Sequence, residues 1–264
     1  TFRPLRVTIP EGKFLNAKPG APLGCYSFPL PPVIDTIVKA FVDAAPGLVA
    51  AGHYGTFGGH TIYGRHPKTG ELYQNLGAIA GGWGAMAGRD GGGPFKTMAH
   101  GDTLDVPAEV LEALYPFRVD AVQLREDSGG PGEFRGGLGV EKIYAMLATG
   151  TARASMDRTR CAPWGIRGGN DGAPSSTEIQ RQGEAPEVIL KGVSELHAGD
   201  KARTVTGGGG GYGKPFARDP RRVVEDVREG YVSRERARGD YGVAIDDHGN
   251  FLEEETRRLR RSAR

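Results

Sequence analysis

This 264-residue chain has only two cysteines, a net charge of only +2, and no apolar run near the ~18 residues that a membrane-spanning helix needs. Cys25 and Cys161 cannot build a disulfide framework or a four-cysteine zinc site; we read both as free thiols serving as small buried hydrophobes. The balanced charge points to no nucleic-acid partner and no membrane surface, and no secretory signal peptide is expected, so the expected location is cytoplasmic. Histidine is also sparse. His53, His60, His66, His100, His197 and His248 form no HxxxH, HxH or HxxEH spacing, so no metal ligands are assigned here. His53 and His60 are seven apart, which is the wrong parity for one face of a strand, although a turn could bring them together. A GxSxG elbow is missing, and Ser128 in Asp127-Ser128-Gly129-Gly130 lacks a nearby histidine. Thr1 could act as an N-terminal nucleophile, but removal of a preceding methionine or cleavage of a longer precursor is the preferred explanation.

Glycine is what the chain has in excess. The 43 glycines make up about a sixth of the residues, against a usual share of about 7%. They cluster in pairs and runs, which excludes a collagen repeat. The run Gly207–Gly211 invites a phosphate-loop reading, but Tyr212-Gly213-Lys214-Pro215 stands where the Lys-Ser/Thr and helix of such a loop belong. Close approach to a neighbouring surface, or a sharp turn, accounts for the run better.

The pattern along the chain predicts an α+β fold, β-rich, with glycine-rich turns and short helices at 32–45, 107–115 and 219–238. Residues 3–32 are proline-rich and extended, with a strand-like RPLRVTI. Apolar residues at helical spacing follow from Pro32 and stop before Pro46-Gly47. His66-Pro67-Lys68-Thr69-Gly70 reads as a hairpin turn. Pro107 opens the second helix, with Asp105 as its expected N-cap and Glu109 and Glu112 at its positive end. Alternation over Arg118–Arg125, Gly139–Leu147 and Glu187–Leu190 predicts strands of a sandwich or β-rich layer. Asp219-Pro220 opens a helix and Ser233 caps another. The basic end of EEETRRLRRSAR reads as a solvated helix end. The expected division is a mixed part at 1–116, a β-rich part at 117–206, and a glycine loop with a charged helical tail at 207–264.

The polar residues most suited to chemistry, Arg89, Asp90, His100, Asp102, Asp105 and Glu109, concentrate beside glycines and a helix N-terminus. That setting suits an oxygen-rich or anionic ligand, and the plain alternative is turn capping and charge pairing between loops. We take Asp90, His100 and Glu109 as candidate catalytic residues, and Trp83, Arg89 and Asp102 as candidate substrate contacts.

Seven ordered blocks carry a resemblance: 3–22 (RPLRVTIPEGKFLNAKPGAP), 80–91 (AGGWGAMAGRDG), 101–119 (GDTLDVPAEVLEALYPFRV), 125–140 (REDSGGPGEFRGGLGV), 163–169 (PWGIRGG), 206–220 (TGGGGGYGKPFARDP) and 226–243 (DVREGYVSRERARGDYGV). Together they resemble the C-terminal half of hydantoinase B/oxoprolinase B-type subunits. The resemblance implies an A-type partner subunit that binds ATP with Mg²⁺ and phosphorylates the amide or carbonyl oxygen of a small substrate. The B-type subunit would then hydrolyse or carboxylate the activated species. It implies a divalent metal, Zn or Mn, held by histidines and aspartates of an N-terminal half that has no counterpart in residues 1–264. That half is expected as a separate chain, a cleavage product or a lost segment. The expected function is therefore the C-terminal part of the B component of an ATP-dependent cyclic-amide hydrolase, inactive alone. The alternatives are a ketone carboxylase subunit or a non-catalytic interface subunit.

Overall fold

A computed structural model of the chain describes residues 6, 8–24, 28–57, 59–101 and 103–262. Thr1, Cys25, Asp102 and most of the RPLRVTI segment lie outside them. Among the described residues, nine strands form two antiparallel sheets. The first joins β1 (Gly59–Arg65), β2 (Leu72–Ala78), β5 (Gly150–Ser155) and β8 (Lys191–Leu196) in the order β2-β1-β5-β8. The second joins β3 (Phe117–Leu124), β4 (Val140–Met146), β6 (Ser176–Gln180), β7 (Glu187–Ile189) and β9 (Lys201–Val205) in the order β3-β4-β9-β6-β7. Ile62, Tyr73, Ala152 and Leu196 of the first sheet share one core with Phe117, Tyr144, Met146, Ile179 and Ala202 of the second. The short strand KARTV shows how little apolar content suffices. Ala202 and Thr204 are buried on the inward face while Lys201 and Arg203 keep partial access to water, the period-2 pattern of a half-covered strand.

The hairpin forms as expected, with Arg65 opposite Leu72 across its turn. The first helix, α1 (Leu30–Ala40), starts earlier and ends sooner than 32–45. Prolines at its first positions need no intrahelical N–H partner, which permits the earlier start. The second, α2 (Ala108–Leu114), has no side-chain cap. Asp105 does not cap it, because two lysines, Lys96 and Lys142, hold its carboxylate instead. Glu112 accepts from Val119 N at 2.8 Å and so ties α2 to β3. As the two caps predict, the 219–238 stretch holds two helices: α3 (Pro220–Arg228), capped by Asp219, and α4 (Arg234–Tyr241), capped by Ser233 and closed by left-handed Gly242. With α5 (Glu253–Ser262) following, Val223, Val232, Ala237, Tyr241 and Val243 form a second, smaller core. Cys161 is a free thiol, as expected, but it is exposed on a bend rather than buried.

The glycine-rich segments form a layer in which main chain packs directly on main chain. Gly207–Gly213 runs through its middle, and every N–H along it is already donated. The acceptors, in order, are Ser175 Oγ and the carbonyls of Ala173, Gly137, Gly52, Asn170, Phe134 and Ile166. A phosphate loop needs free N–H groups converging on an anion, and this run has none to offer. A Cβ on Gly209 would fall 2.6 Å from Gly84 N and closer still to the carbonyl of Trp83. The surface these glycines approach is the chain's own backbone.

Candidate functional site

A cavity of about 470 Å³ opens where α1 meets the glycine layer, within the size range of small-molecule sites. Asp35 and His53 line it together with Trp83, Arg89, Asp90 and Met98. Asp35 sits on the inward face of α1, only 2% exposed. One carboxylate oxygen lies 3.3 Å from His53 Nδ1; the other accepts from Trp164 Nε1 at 2.8 Å and from Arg158 Nη2. A buried carboxylate needs such partners, and Arg158 supplies the compensating charge.

His53 is equally enclosed, at 2% exposure. Burial depresses its imidazole to about 4, so the ring is neutral at physiological pH. With Nδ1 turned to a carboxylate, Nδ1 carries the proton and Nε2 keeps a free lone pair. That Nε2 is buried and has no hydrogen-bond partner among the described residues. The Trp83 and His53 rings meet edge to face with centroids 6.2 Å apart, and Trp83 is fixed in turn by donating Nε1–H to the Lys96 carbonyl at 3.1 Å.

Three of the residues singled out from sequence, Trp83, Arg89 and Asp90, come together on this wall. Arg89 is exposed at its rim. Asp90 accepts from Arg135 N at 2.8 Å, from Arg218 at 2.7 and 2.9 Å, and from Arg222 at 2.7 Å. Burial alone would raise its carboxyl, but the hydrogen bonds and charge of Arg218 and the neighbouring Arg135 hold it below the usual carboxylate range. Arg218, only 1% exposed, also grips Asp226 at 2.8 Å. Asp90 thus pins the loop carrying Trp83 and Arg89 to the helical tail.

His100 lies elsewhere. It lines a neighbouring cavity with Lys96, Asp105 and Lys142, its ring 4.5 Å from Phe57. Glu109 stands on the exposed first turn of α2 and lines neither cavity. Ser128, fully buried, spends its hydroxyl between Arg125 O and Gly139 N, holding a turn. Asp35 and His53 were not singled out as a pair. The available signal was a lone carboxylate on the apolar face of VIDTIV, four residues after buried Pro31.

Among the described residues no group of three or more His, Cys, Asp or Glu side chains could hold a metal ion. His53 faces Asp35, whereas His60 lies against Tyr144. These described residues therefore form no site for the divalent metal, which the resemblance places in the N-terminal half beyond this chain.

Comparison with known proteins places the chain in a family. Residues 1–215 match the family model described as hydantoinase B/oxoprolinase. The chain is 32% identical over 263 residues to the caprolactamase subunit beta of Pseudomonas jessenii, covering 94% of this chain and 44% of that protein. It is similar to the crystal structure of the ATP-dependent caprolactamase from Pseudomonas jessenii, with TM-score 0.83 and 29% identity over 97% of this chain and 46% of that one. An acetone carboxylase in a nucleotide-free structure shares the fold, with TM-score 0.74 and 20% identity over 88% of this chain and 36% of that one. The chain spans less than half the length of the curated relatives it matches.

Proposed function

Because the chain belongs to the hydantoinase B/oxoprolinase family, we propose that it is the C-terminal part of the B component of an ATP-dependent cyclic-amide hydrolase. It works beside an ATP-binding A-type subunit and the portion of the B component that its relatives carry beyond it. The observation that carries the chemical part of this reading is the buried Asp35–His53 pair, with Nε2 unpartnered, on a cavity wall.

A lactam carbonyl is a poor electrophile because nitrogen donates into it. ATP supplies a phosphoryl group to the carbonyl oxygen, which makes the carbon susceptible to water. The glycine run offers no N–H groups to phosphate, and in this scheme ATP sits on the partner, as the family resemblance implies. Water adds to the activated carbon as His53 Nε2 takes its proton. Collapse breaks the ring C–N bond, and the proton passes to the departing nitrogen. The remaining acyl phosphate hydrolyses to a carboxylate and phosphate. An imidazole titrating near 4 is a weak base, but a strongly activated carbon needs only a weak one. Burial also keeps Nε2 unprotonated at every pH above that value. In this scheme Asp35 fixes the tautomer, Trp83 forms the wall, Arg89 at the rim meets phosphoryl oxygens, and Asp90 positions the loop.

Purification of the tagged chain from native extract, followed by native mass spectrometry, tests the partnership. The expected mass includes an ATP-binding chain and a second B-type polypeptide or segment. Elution as a lone monomer at every salt concentration tried would overturn it.

A further inference from the structure

Beside the cavity of Asp35 and His53 lies a second one, of about 240 Å³, lined by residues of β2 and β4, by Lys96 and His100, and by residues 103–106. Its polar wall is cationic. Lys96 and Lys142 are each only 10% exposed along the side chain, and both hold Asp105, which is 45% exposed. Lys96 also donates to Ala78 O at 2.5 Å. Two ammonium groups against one carboxylate leave a net charge of +1. The neighbouring histidines do not change it: burial, reinforced by Lys142, depresses His60 to about 3, and burial with Lys96 lowers His100.

The hydrogen-bond balance is uneven in the same direction. Asn75, 6% exposed and on the cavity wall, has a buried Nδ2 with no acceptor among the described residues. His100 Nδ1 and both ring nitrogens of His60 are likewise buried without partners. Each ammonium carries three donors, so the pair has donors beyond those that Asp105 and Ala78 accept. Leaving buried donors unsatisfied costs about 1–3 kcal/mol each. A ligand that accepts hydrogen bonds and carries one negative charge removes that cost. Phe57, Leu76, Leu104, Val106 and Leu111 add apolar surface to the lining. The cavity's volume, just below the ~300–1,000 Å³ of drug-sized ligand pockets, suits a small ligand.

We propose that this cavity is a binding site for a small aliphatic monocarboxylate, its carboxylate between Lys96, Lys142 and Asn75 and its chain against the apolar surface. The assignment stands on this cavity alone and does not depend on the lactam reading. Calorimetric titration of the chain at pH 7.5 with sodium pentanoate, pentanamide and inorganic phosphate tests it. Pentanoate is expected to bind at least tenfold tighter than either of the others. Asn75→Asp and Lys142→Met are each expected to weaken pentanoate at least tenfold. Asn75→Asp places the chain's own carboxylate among the ammonium groups, so its melting temperature is expected to be no lower than that of the unsubstituted chain. Equal affinity for pentanoate and pentanamide, unchanged pentanoate binding in both variants, or a lower melting temperature for Asn75→Asp would overturn the site. A preference for phosphate over pentanoate would overturn the carboxylate assignment.

Discussion

His53→Gln is expected to lower kcat for ATP-dependent ring opening by the complete assembly about 10²–10⁴-fold, the usual contribution of a positioned proton acceptor, with KM little changed. Glutamine keeps a hydrogen-bonding group near Asp35 but offers no nitrogen lone pair to water. The pH profile separates this role from a merely structural one. Protonation of His53 removes its lone pair, so the limb belonging to His53 is lost as pH falls through about 4. A free imidazole would place that limb near 6.5. Steady-state kinetics of both proteins between pH 4 and 8 would show it. Unchanged kcat in His53→Gln would remove the Asp35–His53 pair from the chemistry.

Gly209→Ala is expected to abolish the folded state, and the reason differs from the usual argument about glycine flexibility. The added methyl would collide with Trp83 O and Gly84 N, backbone atoms that cannot rotate away. Overpacking ordinarily costs about 1–3 kcal/mol, occasionally more. Here the neighbour is itself hydrogen-bonded main chain: Trp83 O accepts from Gly137 N at 2.9 Å. A shift would break contacts across several segments, so the cost exceeds that ordinary range and can reach the low end of the ~5–15 kcal/mol margin of a typical domain. Gly239→Ala is the control. Gly239 sits within α4 with nothing within 4 Å of the added atom, and helix propensity predicts a gain of up to about 1 kcal/mol. Thermal melts of both variants check the contrast. A Gly209→Ala protein melting like the parent would mean that the glycine layer is not close-packed.

Local signals made part of this molecule readable in advance. Asp219 and Ser233 cap α3 and α4 through their own side chains, because a cap depends on residues two or three positions away. The hairpin at 66–70 and the strands around Val119–Leu124 and Val140–Met146 were legible for the same reason. Choices between distant partners were not. Asp105 has the chemistry of an N-cap and the right position, yet Lys142, 37 residues away, holds it. Asp35 meets His53 across 18 residues, Arg158 across 123 and Trp164 across 129; no local pattern encodes such a convergence. The glycine run showed that backbone had to approach something closely, but not that the something was Gly52, Trp83, Gly137 and Asn170 of the same chain.

The family blocks were legible because they are long and ordered, and they match along most of the chain. The site was less so. Trp83, Arg89 and Asp90 do share a wall, but Asp90 is tied to arginines and His100 belongs to the adjoining cavity. A carboxylate beside glycines looks the same in sequence whether it faces a ligand or a guanidinium.

In the proposed function this chain contributes a proton acceptor and a cavity to a reaction whose activation step occurs on a partner. The most direct test follows release of open-chain product from hydantoin or 5-oxoproline with Mg-ATP, using the purified chain alone and then the chain combined with an A-type subunit and the remainder of the B component. No product is expected from the chain alone, and ATP-dependent product is expected from the combination. Steady ATP-dependent turnover by the isolated chain would contradict the proposed function.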